Sequence, residues 1–236
     1  MLKATEFGPK LAGIDNLPGR KRANFPEIVD DVFWELYAIS SPFSLLHVPG
    51  FYNLFQSITY IARNTLPGDI VECGCFLGGA GIFAALLCDR LGLADKMVYL
   101  FDSFEGFPQG EVDAAFDKPV RSIKYADTET HVRDNIKQAT GHSGRIELVR
   151  GFVEDTLPKF DPRPLCLLRL DTDFYNSTRV ELNLLYEHLI PGGVLIVDDY
   201  GMFQGARRAT DEFFSGCKAP PLLNRIDKGV WAGVKP

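Results

Sequence analysis

Five short apolar runs recur along the chain, most of them separated by enough residues for one helix, and this spacing constrains the fold more than any other feature. The runs are DIVECG (69–74), MVYLFD (97–102), RIELVRG (145–151), LCLLRLD (165–171) and GVLIVDD (193–199). Each is a continuous stretch of Val, Ile and Leu rather than a strict alternation, the pattern of strands buried on both faces, as in a parallel sheet. Between them, helical periodicity spans about 79–91, 128–139, 177–189 and 205–215. Strand and helix in alternation predict a doubly wound α/β fold with helices on both faces of one sheet. Within the third of these helices, Thr178 with Glu181 is a candidate capping box, and Pro191-Gly192-Gly193 a stop signal.

Residues 1–50 are broken by Pro18, Pro26, Pro42 and Pro49 and read as an N-terminal helical extension or cap, with one short amphipathic helix at Asp31–Ile39. YNLFQSITYIARN (52–64) suits a helix with one buried face, and 51–236 read as one domain. The interval between Asp102 and Ile146 is about twice what one crossover needs, so residues 106–130 are expected to form a lid-like insertion. The partly apolar VFWELY segment (32–37) is a candidate homo-oligomer interface or lid.

Composition narrows the class. With 46% hydrophobic and 24% charged residues the chain reads as a globular protein, and no apolar run is long enough to span a bilayer. A net charge of -6 and a pI near 5.3 leave no electrostatic footprint for nucleic acid, so a small-molecule substrate is expected. MLKATEFGPK lacks the apolar core of a secretory signal, which points to a cytoplasmic protein. Cys73, Cys75, Cys88 and Cys166 lie in apolar segments without a second pair at metal-ligand spacing, and read as buried thiols.

In an open α/β sheet, ligands bind beyond the carboxyl ends of the strands. The polar residues placed there are Glu72 and Gly74, Asp102 and Ser103, Gly151, Asp171 and Asp173, and Asp198 with Asp199. ECGCFLGGAG (72–81) is a glycine turn in which Gly74 permits the tight bend, while Gly78 and Gly79 let backbone approach a ligand at a helix N-terminus. Asp102, an acid closing the second strand, stands where such folds bind ribose hydroxyls. Together these point to a nucleoside-containing cofactor, either nicotinamide dinucleotide or S-adenosylmethionine. The turn departs from G-x-G-x-x-G, and Glu72 disfavours a nearby phosphate but suits a cationic sulfonium. Asp171, Asp198 and Asp199 would converge on one crevice, and oxygen-only ligands of like charge recruit Mg²⁺ or Ca²⁺. An NAD-dependent oxidoreductase and a non-catalytic binding protein are the rival classes.

LPGDIVECGCFLGGAG, LFDSFEGFP, VRGFVEDTLP, LRLDTDFYNSTRVELNLLYEHLIPGGVLIVDDYG and GARRATDEFF, in that order, resemble the macrocin O-methyltransferase family over about residues 50–215. The resemblance implies a Rossmann-like class I methyltransferase fold: a seven-stranded, mostly parallel sheet whose last strand, within 229–235, runs antiparallel. It implies S-adenosylmethionine as cofactor and Mg²⁺ on Asp171, Asp198 and Asp199, with a sugar hydroxyl of a natural product as acceptor; a phenol or catechol is the nearer alternative. Gly74 and Gly78 would lie against the methionine moiety, Asp102 would bind the ribose, and Gly151, Phe152 and Asp155 would line the adenine pocket. Phe76 and Leu77 depart from the family pattern, which often has an aromatic residue and an Arg ahead of the paired glycines. Asp171 is the first candidate for the base, as metal ligand and proton acceptor together, with His131 and His142 as alternatives. Tyr52 is expected to reach the cofactor pocket from the N-terminal helix.

Overall fold

In a computed structural model, which describes residues 22–107, 128–141 and 144–236, the five apolar runs become β1 (Asp69–Cys73), β2 (Val98–Asp102), β3 (Ile146–Arg150), β4 (Leu165–Leu170) and β5 (Leu189–Val197). β6 (Asn224–Arg225) and β7 (Trp231–Val234) complete a seven-stranded sheet of order β3-β2-β1-β4-β5-β7-β6. β1 to β5 pair in parallel, whereas β7 runs antiparallel to both β5 and β6. The strand order reverses direction between β1 and β4, which opens a crevice beyond their carboxyl ends.

The longer helices are α1 (Asp31–Ser40), α2 (Val48–Arg63), α3 (Gly79–Arg90) and α4 (Glu129–Thr140), followed after the single-turn α5 (Val153–Thr156) by α6 (Tyr175–Leu185) and α7 (Gln204–Ser215). Successive strand residues face opposite helical layers: Ile70 joins the cluster built with Phe33, Phe51 and Phe83, and Val71 joins the one built with Leu182 and Leu185. Burial on both faces explains why the strands carry no polar alternation.

α1 starts where Asp30 accepts hydrogen bonds from the Val32 and Phe33 amides at 2.9 and 3.3 Å. It packs on α3, with the Phe33 ring 6.0 Å from Phe83 and the Phe51 ring of α2 5.2 Å from it. Burying a ring of this size contributes about 2–3 kcal/mol. Within the VFWELY segment, Phe33, Leu36 and Tyr37 are buried in the core that these helices share.

Two boundary expectations change. α6 begins at Tyr175, a turn earlier than the capping box requires, so Thr178 is buried inside the helix and Glu181 accepts from the Thr172 hydroxyl at 2.8 Å. Pro191-Gly192-Gly193 lies within β5, which starts at Leu189 and pairs with β4 through a register shift between Leu165 and Leu167. Cys73, Cys75, Cys88 and Cys166 are buried free thiols. Most of the expected insertion, 108–127, and His142 lie outside the described residues. No helix among the described residues is long and apolar enough to cross a membrane.

Candidate active site

A cavity of about 750 Å³ opens beyond the carboxyl ends of β1, β2, β4 and β5. Its outer wall includes Leu45 and His47 from the segment before α2, Met202 and Phe203 after β5, and Lys228 from the β6–β7 turn.

One half of the cavity is shaped by backbone. Gly74 has φ +84°, and a Cβ there would lie 1.9 Å from the Asp171 carbonyl oxygen, so only glycine lets the end of β1 pass so close to β4. Asp102 secures the turn that follows. Its Oδ2 accepts from the Cys75 and Phe76 amides at 2.9 and 3.0 Å, and its Oδ1 from the Phe104 amide at 2.8 Å. Phe76 and Phe104 both hold left-handed backbone, φ 52° and 56°, a conformation that costs a non-glycine residue about 1–2 kcal/mol. The carboxylate that binds their amides offsets that strain. Each carboxylate oxygen has two acceptor sites, so Oδ1 keeps one for a ligand hydroxyl. Burial pushes the Asp102 carboxyl up, and the amide bonds oppose the shift.

Around this turn, the Ser103 hydroxyl donates to the Gly106 carbonyl at 2.8 Å and the Gly151 amide to the Asp102 carbonyl at 2.9 Å. Ser103, Gly151 and Phe152 line the cavity with Glu72 and Gly74. Three expected contributors do not. Gly78 starts α3 in left-handed backbone and is covered by Val132 of α4, whose Cγ1 lies 3.1 Å from where a Cβ would stand. Asp155 is exposed on α5, and its neighbour Glu154 reaches the cavity instead. Tyr52 points into the helical layer, with its ring 5.3 Å from Phe33 and stacked on Phe55 at 6.1 Å. His131, half-buried on α4, is also off the cavity wall.

Charge dominates the other half. Asp171, Asp198 and Asp199 bring one carboxylate oxygen each to within 4.8 Å of one another. Below them Arg169, buried in β4 and in register with Glu72 on β1, spreads its guanidinium among the acids. Nη1 pairs with Glu72 and with Asp171 Oδ2 at 2.7 Å, and Nη2 with Asp198 Oδ1 at 2.6 Å. Glu72 Oε2 is buried without a hydrogen-bond partner.

Burial, with further pressure from Asp198, Asp199 and Glu72, holds the Asp171 carboxyl well above the usual range although Arg169 opposes it. Burial, then Asp173 and Asp198, raise Asp199 in the same way. One guanidinium among this many carboxylates leaves negative charge that a cation would satisfy. Oxygen donors without His or Cys fit a hard ion such as Mg²⁺. Beside the trio, Asp173 holds φ 70° and its amide donates to Asp199 Oδ2 at 3.2 Å. Its side chain lines the same cavity.

The strand-end pattern places Asp173 on the ligand side without marking its chemistry, and it gives no role to Arg169. A readable signal existed for Arg169: a cation inside the otherwise apolar LCLLRLD, with a carboxylate in the same setting in DIVECG.

The sequence model of the macrocin-O-methyltransferase (TylF) family matches residues 48–233. The chain belongs to that family. Membership in the macrocin O-methyltransferase family makes it an O-methyltransferase. Among its relatives is demethyldecarbamoylnovobiocin O-methyltransferase of Streptomyces niveus, 34% identical over 185 residues, which are 76% of this chain and 71% of that one. Another is the 8-demethyl-8-(2,3-dimethoxy-alpha-L-rhamnosyl)-tetracenomycin-C 4'-O-methyltransferase of Streptomyces olivaceus, 33% identical over 155 residues, 64% of this chain and 59% of that one. The structure of the O-methyltransferase NovP superimposes with a TM-score of 0.77 at 29% identity, covering 82% of each chain. The observed sheet is thus the class I methyltransferase sheet that the family resemblance implied.

Proposed function

We propose that the protein moves a methyl group from S-adenosylmethionine to a hydroxyl of a sugar on a small natural product, with Mg²⁺ held by Asp171, Asp198 and Asp199. The observation that carries this reading is the convergence of three carboxylates on the cavity that also contains the Gly74 turn and Asp102. The relative that methylates a rhamnosyl group supports the sugar. The departure from G-x-G-x-x-G argues against a dinucleotide.

The residues divide the work. The Gly74 turn and Asp102 would seat the nucleoside, with the remaining acceptor site of Asp102 Oδ1 available to a ribose hydroxyl, and Gly151 and Phe152 beside the base. Holding donor and acceptor in line is itself a large part of the rate enhancement. Bound Mg²⁺ would supply Lewis acidity that makes a chelated acceptor hydroxyl easier to deprotonate.

Asp171 has Oδ2 on Arg169 and, under this reading, its other oxygen on the metal. Asp173, on the cavity wall and pinned through its amide to Asp199, is therefore the better placed proton acceptor.

Calorimetric titration with S-adenosylhomocysteine and with NAD⁺, each with and without Mg²⁺, tests the reading on wild type and Asp198→Ala. S-adenosylhomocysteine should bind, and Mg²⁺ should bind only the wild type. A panel of rhamnosylated and other glycosides, scored by mass for one added methyl group, then tests the acceptor. Preference for NAD⁺, or no nucleoside binding, would overturn the cofactor assignment.

A further inference from the structure

We propose that Arg169 and Glu72 form a charge-neutral clamp that aims the cation-binding carboxylates, so that Arg169 is a positioning residue for the metal rather than a fold-stabilising cation. The inference rests on the reading of Asp171, Asp198 and Asp199 as metal ligands.

A guanidinium at 3% exposure is tolerated only when it is paired, and here Nη1 and Nη2 donate to three acids, Glu72, Asp171 and Asp198. The planar fork gives the contacts direction. Nη1 takes Asp171 Oδ2 and Nη2 takes Asp198 Oδ1, which leaves one oxygen of each carboxylate to face the cation. Asp171 follows β4 and Asp198 follows β5, so the same guanidinium ties together two ligands carried by neighbouring strands.

A lone cation so close to the ligands would weaken their attraction for a divalent ion. Glu72 answers that. It pairs with Nη1 from the adjacent strand, cancels the guanidinium charge, and leaves the formal charge of the three aspartates available to the metal. The clamp therefore provides orientation without loss of attraction. Glu72 Oε2, buried and without a partner, is consistent with a carboxylate held for its charge rather than for a full set of hydrogen bonds.

The test is Mn²⁺ binding to the full chain, read by electron paramagnetic resonance, alongside S-adenosylhomocysteine affinity by calorimetry. Arg169→Lys keeps the charge and loses the fork. Its Mn²⁺ affinity should fall about 10- to 100-fold, the usual effect of removing a residue that orients metal ligands, while S-adenosylhomocysteine affinity moves by less than about threefold. A simple structural role would weaken both together. Glu72→Gln, close in shape, should also weaken Mn²⁺ binding about 10-fold, although it alters no metal ligand, and it serves if Arg169→Lys does not fold. Wild-type Mn²⁺ affinity in either folded variant overturns the clamp alone. If wild type itself takes up no Mn²⁺, the metal reading fails and the clamp fails with it.

Discussion

The two halves of the cavity reach order by different means. At β1 and β2 the wall is backbone: a glycine that nothing else can replace, two phenylalanines in left-handed conformation, and one carboxylate whose three amide bonds hold the strain. At β4 and β5 the wall is side-chain charge: Arg169 holds Glu72, Asp171 and Asp198, and Asp199 stands beside them on the Asp173 amide. Backbone order survives the loss of a ligand, because its hydrogen bonds are internal. A cluster of like charges is balanced only when its counter-ion is present. The backbone half should therefore be preformed, and the charged half should depend on pH, salt and cation.

The sharpest way to break this contrast lies in the charged half. Asp173→Asn should lower kcat about 10²- to 10⁴-fold, the range for loss of a general base, while Mn²⁺ and S-adenosylhomocysteine still bind. Asp171→Asn should lose Mn²⁺ affinity as well as rate. Single-turnover rates beside metal titrations separate the two, and a fully active Asp173→Asn would move the base elsewhere.

How much could be read from the chain follows the same division. Strand positions, their parallel arrangement and the Asp171, Asp198 and Asp199 cluster were legible, because continuous apolar runs and acids at strand ends are local patterns. Gly78 was read as ligand-facing when it is covered by Val132, since which side of a turn meets the cavity depends on α4, more than 40 residues later. Asp155 and Tyr52 lie off the cavity wall for the same cause: a helix shows its period in sequence, but not its rotation against a remote partner. The pairing of Arg169 with Glu72 needs the β1–β4 register, and strands so far apart in sequence do not display it.

A test of the preformed half is Gly74→Ala. The added Cβ meets a backbone carbonyl, not a side chain that can rotate, and φ +84° is itself unfavourable for alanine. Overpacking and backbone strain together should cost about 2–4 kcal/mol, a fall in Tm of about 5–15 °C by thermal scanning. Gly144→Ala, where a Cβ meets nothing within 4 Å, should leave Tm unchanged. Equal Tm values for both variants would mean that the backbone wall is not rigid.

A pH-dependent effect belongs to the charged side alone, at Glu181 of α6, which bonds the loop after β4. Burial pushes its carboxyl up to about 8, with Glu154 adding to the shift and the Thr172 hydroxyl bond opposing it. The folded chain thus keeps a proton that the unfolded chain releases near the ordinary value of 4.5. The stabilisation is fully present below 4.5 and is lost as pH rises through 8, because across that window the native state binds more protons. Denaturant titrations should show wild type losing up to about 1.4 kcal/mol per pH unit across that window relative to Glu181→Gln, which cannot ionise. Parallel pH profiles for the two would show that Glu181 is already charged in the native state. The Thr172 contact would then be a bond to a carboxylate, and the loop carrying Asp171 and Asp173 would be anchored by charge as well.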